Sequence, residues 1–404
     1  MAFTREQRHV VVASFLGWTL DAFDFFLMVF MLKDIARDFG TEVTRVTLAI
    51  LLTLALRPIG ALLFGRIADR FGRRPTLMVN VLLYSALEFA SGFAPGLWSL
   101  LAIRALFGVA MGGEWGVGSA LAMESIPVRS RGLVSGLLQA GYPTGYLLAS
   151  AVFGLLYDRI GWRGMFMVGI APALLVLYIR RNVPESPAWG AARTAERTGL
   201  TRSIRREWKL ALYTVVLMTC FNSFSHGTQD LYPTFLLVQR GFSTHTVSLI
   251  AITYNVGAIL GGLAFGAFSE RIGRRRAIAL AALLALPVLP LWAFSTTAVS
   301  LAIGAFLMQV AVQGAWGVVP AHLNELSPGE LRATFPGLVY QLGNLIAAGN
   351  GTFQAAFAKA HGGNYALSLA LLTGTVAVLI AVVVSVGPER LGAGMDIGGG
   401  SGAG

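Results

Sequence analysis

The chain has 404 residues, of which 55% are hydrophobic and 13% carry a charged side chain, and its mean hydropathy is +0.67. This composition excludes a soluble globular domain, in which about 25% of residues are charged, and indicates an all-α polytopic membrane protein. The net charge of +11 does not indicate a nucleic-acid-binding protein, because the basic residues alternate between loops instead of forming one patch.

Twelve apolar segments are each long enough to cross a bilayer as a helix of about 20 residues. Spans 1 to 6 are predicted near residues 10–32, 45–65, 76–94, 98–122, 133–156 and 163–181. Spans 7 to 12 are predicted near residues 209–239, 245–268, 277–295, 298–321, 333–357 and 364–386. The sequence therefore predicts two six-helix bundles, 1–181 and 209–390, with a basic linker at 182–208 and a disordered Gly-rich tail at 391–404.

Lysine and arginine residues are unevenly divided between the two sides of these spans. Two of the 31, Arg57 and Arg104, lie within spans, and 22 lie in the connections on one side. The other side holds seven, namely Lys33, Arg37, Arg45, Arg159, Arg163, Arg240 and Lys359. Because basic loops stay in the cytoplasm, we expect a multi-pass protein of the inner (plasma) membrane with both termini cytoplasmic.

Span 7 contains an unusually polar segment, residues 222–234 (NSFSHGTQDLYPT). A charge at the centre of a span costs about 2.5–3.5 kcal/mol on insertion scales, yet His226, Gln229 and Asp230 lie within five positions. On a helix, Asn222, His226 and Gln229 share one face, and Asp230 follows His226 by one turn. The segment indicates a face that lines a water-filled, ligand-binding or proton-carrying path; the alternative is a hydrogen-bonded seam between helices.

The two halves of the chain are copies of each other, offset by 201 residues. Residues 65–74 (GRIADRFGRR) match 266–275 (GAFSERIGRR), 113–116 (GEWG) match 314–317 (GAWG), and 124–131 (ESIPVRSR) match 325–332 (ELSPGELR). Parallel repeats with a binding site between them are the architecture of transporters that work by alternating access.

The loop between spans 2 and 3 resembles the signature loop of the major facilitator superfamily, with the pattern GxxxDRxGRR at residues 65–74. Its degenerate copy at 266–275, Arg104-x-x-x-Gly108 in span 4 and residues 184–187 (PESP) after span 6 support the resemblance, which covers essentially the whole chain. In that family the signature loop is a gate latch. The resemblance therefore implies a gating role for Gly65, Asp69, Arg70, Arg73, Arg131, Glu270, Arg271 and Arg332.

The physical chemistry of the loop agrees with a latch. Gly65 permits close helix packing, and Asp69 can pair with Arg73 or with Arg131. Arginines that only marked topology would explain the charge but not the glycine or the acid.

Span 7 also resembles the fingerprint of the Jen-type lactate/pyruvate:proton symporters, which group with the sialate:proton symporters. Gln341-x-x-Asn344 in span 11, Arg57-Pro58 in span 2 and residues 17–26 (GWTLDAFDFF) in span 1 are similar to that group. The resemblance implies proton-coupled symport of a small monocarboxylate such as L-lactate or pyruvate. Its partners would be a small organic carboxylate, protons and the lipid bilayer, without nucleic acid or cofactor, and the protein is expected to be monomeric.

A carboxylate substrate needs a cation in the cavity, and the fork of Arg57 can bind one through two parallel hydrogen bonds. The alternative is that Arg57 is only a structural partner of Asp21 or Asp24 in span 1. Around it we expect polar and aromatic side chains from several spans, although aromatic stripes are more often packing than ligand contacts. The candidate substrate-binding residues are Arg57, Gln139, Tyr142, Asn222, His226, Gln229, Tyr340, Gln341 and Asn344.

Proton coupling needs an ionisable group that both sides of the membrane can reach in turn. Asp21 and Asp24 lie one turn apart in span 1, Asp230 lies one turn from His226, and Glu114 lies in span 4. These four acids are the candidate proton-coupling residues. Asp24 could instead neutralise Arg57, and His226 could be a packing residue. Arg104 is expected to be a structural partner of Glu114 or Glu88.

The sequence contains no enzyme signature. Its five histidines are scattered without metal-ligand spacing, and no glycine-rich loop followed by Lys-Ser/Thr is present. Three other interpretations remain: a symporter of a larger acid such as sialic or aromatic acid, a non-transporting membrane sensor, and a channel. The twofold repeat favours alternating access over a channel.

Overall fold

The computed structural model describes residues 3–192 and 205–394, without the side chains of residues 191 and 192. The middle of the predicted linker, 193–204, and the end of the predicted disordered tail, 395–404, lie outside these residues. The described chain is α-helical, and its helices coincide with the twelve predicted spans.

Spans 1 to 4 are continuous or nearly continuous helices: Arg5–Asp38, Val43–Phe71, Arg73–Ser91 and Leu97–Gly112 extended by Glu114–Ser125. The helix Arg131–Val168 contains span 5 and the start of span 6, which ends with Ala173–Asn182. Gly161, with φ 61° and ψ −175°, breaks this helix between the two spans. A left-handed φ of this kind favours glycine because it has no Cβ. A short helix, Pro187–Ala192, follows.

The second half repeats this order. Span 7 is Trp208–Gln229, followed by the turn Tyr232–Thr234 and a π-helical turn Phe235–Gln239. Spans 8 to 12 are Thr244–Ile272, Arg274–Leu289 extended by Pro290–Phe294, Ala298–Leu326, Thr334–Ala347 continued by Asn350–Ala360, and Tyr365–Val386.

Seven of these helices are long and apolar enough to cross a membrane on their own, and the bent segment that contains spans 5 and 6 adds an eighth. Spans 3, 7 and 11 are not among these eight segments. Span 3 carries Arg73, Arg74 and Glu88, and spans 7 and 11 are interrupted near their far ends. Together they complete the two six-helix halves.

The twofold relationship between the halves extends to individual hydrogen bonds. Arg73 binds Glu124 through two hydrogen bonds of 3.0 and 2.9 Å, and Arg274 binds Glu325 through two of 3.0 and 3.1 Å. Both members of the second pair follow the first by 201 positions. These buried ion pairs tie span 3 to span 4 and span 9 to span 10 on the same side of the protein.

That side, which carries the signature loop and both ends of the described chain, is called the terminal side here. The halves meet there through glycines whose Cα atoms have no room for a side chain. A Cβ on Gly116 would lie 2.9 Å from Gly337 Cα, and one on Gly266 would lie 3.0 Å from Gly136 Cα. Within the described residues, the inter-half hydrogen bonds gather on this side, for example from Asn324 Nδ2 to Ser119 Oγ at 3.2 Å.

Candidate functional site

A cavity of about 450 Å³ lies between the two halves. Its wall on span 1 runs from Trp18 to Phe30, and its wall on span 2 runs from Ile50 to Arg57. Span 1 leaves the terminal side at Arg5, and span 2 returns to it at Phe71. The cavity therefore extends from the middle of the protein toward the side opposite the terminal side.

Eight of the nine predicted substrate-binding residues line this cavity: Arg57, Gln139, Tyr142, Asn222, His226, Gln229, Tyr340 and Asn344. Gln341 does not. It is buried with its Oε1 lacking a hydrogen-bond partner among the described residues. The predicted set covers part of the polar wall. The helical periodicity of span 7 placed its polar residues on one face, but the polar lining also includes Tyr146, Ser225 and Asn255.

Arg57 is the cation of the cavity. Its side chain is only 3% exposed, and within the described ranges it makes no ion pair. The guanidinium lies over the Phe25 ring, 5.3 Å from the centroid, and its Nη2 contacts Met111 Sδ at 2.8 Å. Its Nε has no hydrogen-bond partner among the described residues. The pairing with Asp21 or Asp24 that the sequence allowed is absent from the described structure.

The second half contributes a hydrogen-bonded polar wall to the cavity. His226 contacts Asp230 Oδ2 through Nδ1 at 3.1 Å and Asn344 Oδ1 through Nε2 at 2.9 Å. Gln229 Nε2 donates to Ser225 Oγ at 3.1 Å. The helix of span 7 ends at Gln229, so the His226–Asp230 pair occupies its last turn. Span 7 and span 11 are thereby connected through one imidazole.

Aromatic rings from both halves form the floor of the cavity. The Tyr340 ring centroid lies 4.8 Å from that of Trp115, 5.5 Å from that of Trp316 and 6.4 Å from that of Trp18. Trp115 and Trp316 are repeat-related, 201 positions apart. This cluster separates the cavity from the closed terminal side.

The predicted proton-coupling acids divide into two groups. Asp230 lines the cavity, whereas Asp21, Asp24 and Glu114 lie behind the cavity wall, each at most 1% exposed. In the described part of the chain, neither oxygen of Asp24 or Glu114 has a hydrogen-bond partner. Buried carboxyl groups without partners are unusual, because each costs free energy unless it is neutral or paired.

Arg104 forms a buried ion pair with Glu88, as expected for a structural partner. The guanidinium also lies over the Phe107 ring at 3.8 Å from the centroid. Arg104 is therefore not available to a ligand in the cavity.

Several residues of the predicted latch lie together at the terminal side. Asp69 accepts hydrogen bonds from the backbone amides of Ala333 and Thr334 at 3.0 and 3.1 Å, and pairs with Arg73 at 3.3 Å. A Cβ on Gly65 would lie 2.6 Å from Thr334 Cα, so this glycine permits the close approach of spans 2 and 11.

Glu270, the repeat mate of Asp69, accepts from the backbone amide of Gly132 and pairs with Arg274 at 3.2 Å. Arg131 faces Glu325 of the other half at 3.8 Å instead of Asp69. Arg332 is buried at the start of span 11, whereas Arg70 and Arg271 are exposed.

Several residues of the site were missing from the sequence-based set. The rings of Trp18, Phe25, Phe26 and Phe30 line the cavity from span 1. Aromatic residues in an apolar helix carry no periodic signal that separates a cavity wall from lipid-facing or packed positions.

Two pseudo-symmetric six-helix halves, a cavity between them and closure on one side define a membrane transporter of the alternating-access class. The chain belongs to the Major Facilitator Superfamily, whose family model matches residues 14–244; a second model, Sugar (and other) transporter, matches residues 211–389. The membership predicted from the signature loop and the twelve-span fold predicted from the apolar segments are thus confirmed, and the protein is a transporter, not an enzyme.

Two relatives illustrate the similarity. The chain is 30% identical to a carboxylic acid transporter protein homolog of Saccharomyces cerevisiae, over 93% of this chain and 67% of the relative. It is also 30% identical to the sialic acid transporter NanX of Escherichia coli, over 94% of both chains. The solved structure of the proton:xylose symporter XylE shares the fold, with a TM-score of 0.78, 19% identity and coverage of 96% of this chain and 98% of that one.

Proposed function

We propose that this protein is a proton-coupled symporter of organic carboxylates that works by alternating access. The observation that carries the proposal is the buried, unpaired guanidinium of Arg57 in the wall of the inter-half cavity. A buried charge without a direct ion pair is costly. A substrate carboxylate supplies that direct partner, and the planar fork of arginine binds it through two parallel hydrogen bonds.

The similar proteins support an organic acid as the substrate. Besides the carboxylic acid and sialic acid transporters, they include a cis,cis-muconate transport protein of Acinetobacter baylyi, 27% identical over 83% of this chain. Lactate or pyruvate is the first candidate, from the fingerprint in span 7. A larger acid is the second candidate, because a cavity of about 450 Å³ lies within the roughly 300–1,000 Å³ range of sites for drug-sized ligands.

The internal repeat supports proton coupling through the first half. The repeat mates of Asp21, Asp24, Glu88, Arg104 and Glu114 are Asn222, Ser225, Leu289, Ala305 and Ala315. The second half thus builds the same six-helix bundle without a charge at any of these positions. Glu88 and Arg104 pair with each other. Asp21, Asp24 and Glu114 make no ion pair in the described part of the chain, and a function in the transport cycle is the simplest reason for these three acids.

Asp24 is the first candidate for the coupling site, and Asp230 is the second. Asp24 directly precedes Phe25, whose ring lies against Arg57, and both of its carboxylate oxygens lack partners in the described ranges. A carboxylate bound at Arg57 would add negative charge close to span 1 and favour protonation of a nearby acid. Substrate and proton would then be carried together.

The unequal distribution of basic residues supports the orientation proposed from the sequence, with the terminal side in the cytoplasm. The cavity would then face outward in this structure. Each chain carries a complete cavity, so a monomer would be sufficient for transport.

Uptake of labelled lactate into proteoliposomes tests the proposal. We expect an inwardly directed proton gradient to accelerate uptake and drive accumulation, and an uncoupler to abolish the accumulation. Competition by unlabelled pyruvate and by unlabelled sialic acid then shows whether the site prefers a small or a large acid. Uptake that is indifferent to the gradient and to the uncoupler would show that the protein is not a symporter. Binding of lactate without any uptake would instead identify a sensor.

A further inference from the structure

An aromatic file runs along one wall of the cavity, with rings contributed alternately by spans 1 and 5. Successive ring centroids lie 5.6 Å apart for Trp18–Tyr142, 5.3 Å for Tyr142–Phe26, 4.9 Å for Phe26–Tyr146 and 5.8 Å for Tyr146–Phe30. All five rings line the cavity, and all except Trp18 are only half-buried, so they are open to a ligand. These five residues are called the aromatic file below.

A sixth ring continues the file beyond the cavity. Phe153 of span 5 lies 5.4 Å from Phe30, centroid to centroid, and does not line the cavity. It is therefore an internal control, since it contacts a ring of the file but does not line the cavity.

Packing of span 1 on span 5 does not by itself require aromatic residues. The repeat mates of Trp18, Phe26, Phe30, Tyr142 and Tyr146 are Thr219, Gly227, Leu231, Gly343 and Ala347. None of them is aromatic, yet span 7 packs on span 11 in the corresponding place, where a Cβ on Gly343 would lie 2.6 Å from the Met218 backbone. The file is thus a feature of one half, on the side that faces the cavity.

The wall across from the file is polar. His226, Gln229 and Asp230 of span 7 lie there, and Arg57 stands beside the file against Phe25. Aromatic rings prefer to meet another ring in an offset-stacked or edge-to-face arrangement. A ligand that satisfies all of these groups has a flat, unsaturated body, a carboxylate at one end and polar edges.

We infer that the aromatic file selects planar acids, so that the preferred substrates are aromatic or conjugated carboxylic acids, stacked on Tyr142 and Phe26 with the carboxylate on Arg57. The inference rests on the proposed function for the role of Arg57. It goes beyond that proposal by favouring the larger, planar acids over lactate and pyruvate and by naming the residues that select them. A three-carbon acid such as lactate would reach Arg57 but would leave most of the file without contact.

Competition binding to the purified, full-length protein tests the inference with labelled benzoate as the probe. The matched competitors are unlabelled benzoate and cyclohexanecarboxylate, which have the same number of carbon atoms and the same carboxylate but differ in planarity. We expect benzoate to compete about three- to tenfold more strongly than cyclohexanecarboxylate, as ring-on-ring contacts predict. Lactate should be weaker than both.

Variants then assign the preference to the file. Phe26→Leu and Tyr142→Leu should reduce the ratio between benzoate and cyclohexanecarboxylate toward one. Phe153→Leu, the matched control, should leave the ratio at the wild-type value. The wild-type comparison needs no substitution, so the test stands even if a variant fails to fold.

The outcomes separate the inference from the proposed function. Equal competition by benzoate and cyclohexanecarboxylate, or lactate binding that benzoate cannot displace, overturns the planar-acid inference and leaves carboxylate transport intact. A planar preference in a protein that moves no acid with protons overturns the proposed symport and leaves the selectivity of the site intact. An unchanged ratio in both file variants also overturns the inference.

Discussion

The carboxylate of Asp69, at the end of span 2, accepts the backbone N–H of Thr334, at the start of span 11, over 3.1 Å. The bond joins the two halves and caps a helix whose first amides have no intrahelical partners. The same arrangement recurs on the other side of the twofold axis, where Glu270 accepts the N–H of Gly132. Each half therefore holds the other closed on the terminal side.

Asp69→Asn should release this latch and shift the protein toward the conformation that is open on the terminal side. Hydrogen bonds to a charged group contribute about 1.5–3 kcal/mol, so the populations should change about tenfold or more. Spin labels at Arg129→Cys and Arg276→Cys, in a Cys220→Ser background, would report a longer distance between the halves. Asp34→Asn, on the opposite side, is the control; a similar shift in that variant would show that the latch is not specific.

Arg57→Lys should lose most of the substrate affinity although it keeps the positive charge. A lysine cannot form two parallel hydrogen bonds to one carboxylate, and the loss should be about 1.5–3 kcal/mol, or roughly 10- to 100-fold in Kd. The measurement is substrate binding on protein whose thermal unfolding matches the wild type. Wild-type affinity in a normally folded Lys variant would exclude Arg57 as the carboxylate site.

Asp24→Asn and Asp230→Asn should separate binding from coupling. Asparagine has nearly the same shape as aspartate but cannot carry a proton. The variant at the coupling site should still exchange labelled for unlabelled substrate across the membrane, because exchange needs no net proton movement. It should fail to concentrate substrate on a proton gradient. Asp38→Asn, an exposed acid paired with Arg163, is the control. Normal accumulation in both test variants would show that neither Asp24 nor Asp230 is the coupling site, and Asp21 and Glu114 would be tested next.

Removing one member of the buried Glu88–Arg104 pair should destabilise the protein more than replacing both. A single change leaves an uncompensated buried charge, which costs about 3–5 kcal/mol. Glu88→Leu with Arg104→Ala copies the repeat mates Leu289 and Ala305 and should recover much of that loss. Thermal unfolding in one detergent checks all three variants. A double variant less stable than both single variants would mean that the first half cannot adopt the apolar packing of the second.

The sequence predicted the helices and the polar face of span 7 because both depend on local periodicity. Its 201-residue repeat also predicted the related positions of Trp115 and Trp316. The neighbour that each acid faces could not be predicted in this way. Asp21 and Asp24 lie on one face of span 1, but only the packing of spans 2 to 4 decides that they lie behind the cavity wall.

The hydrogen-bond partners of the signature loop could not be predicted from the sequence either. Arg73 binds Glu124, 51 positions away, and Glu185, which accepts the Arg73 N–H at 3.0 Å, comes from the segment after span 6. No periodicity links such positions. Of the aromatic file only Tyr142 was among the predicted substrate-binding residues, because the rings of the file alternate between spans more than 100 residues apart.

The capping bonds of Asp69 and Glu270 end on backbone amides, which every residue except proline possesses. The identity of the receiving residue is nevertheless limited, because a Cβ on Gly132 would overlap Gly266 O and because Thr334 Oγ1 also donates to Asp69. Chimeras that combine one half of this protein with the complementary half of a relative should therefore close on the terminal side only where the relative keeps a glycine and a hydroxyl residue at these positions as well as the facing acids. Closure of the terminal side thus limits which halves can be exchanged between homologues.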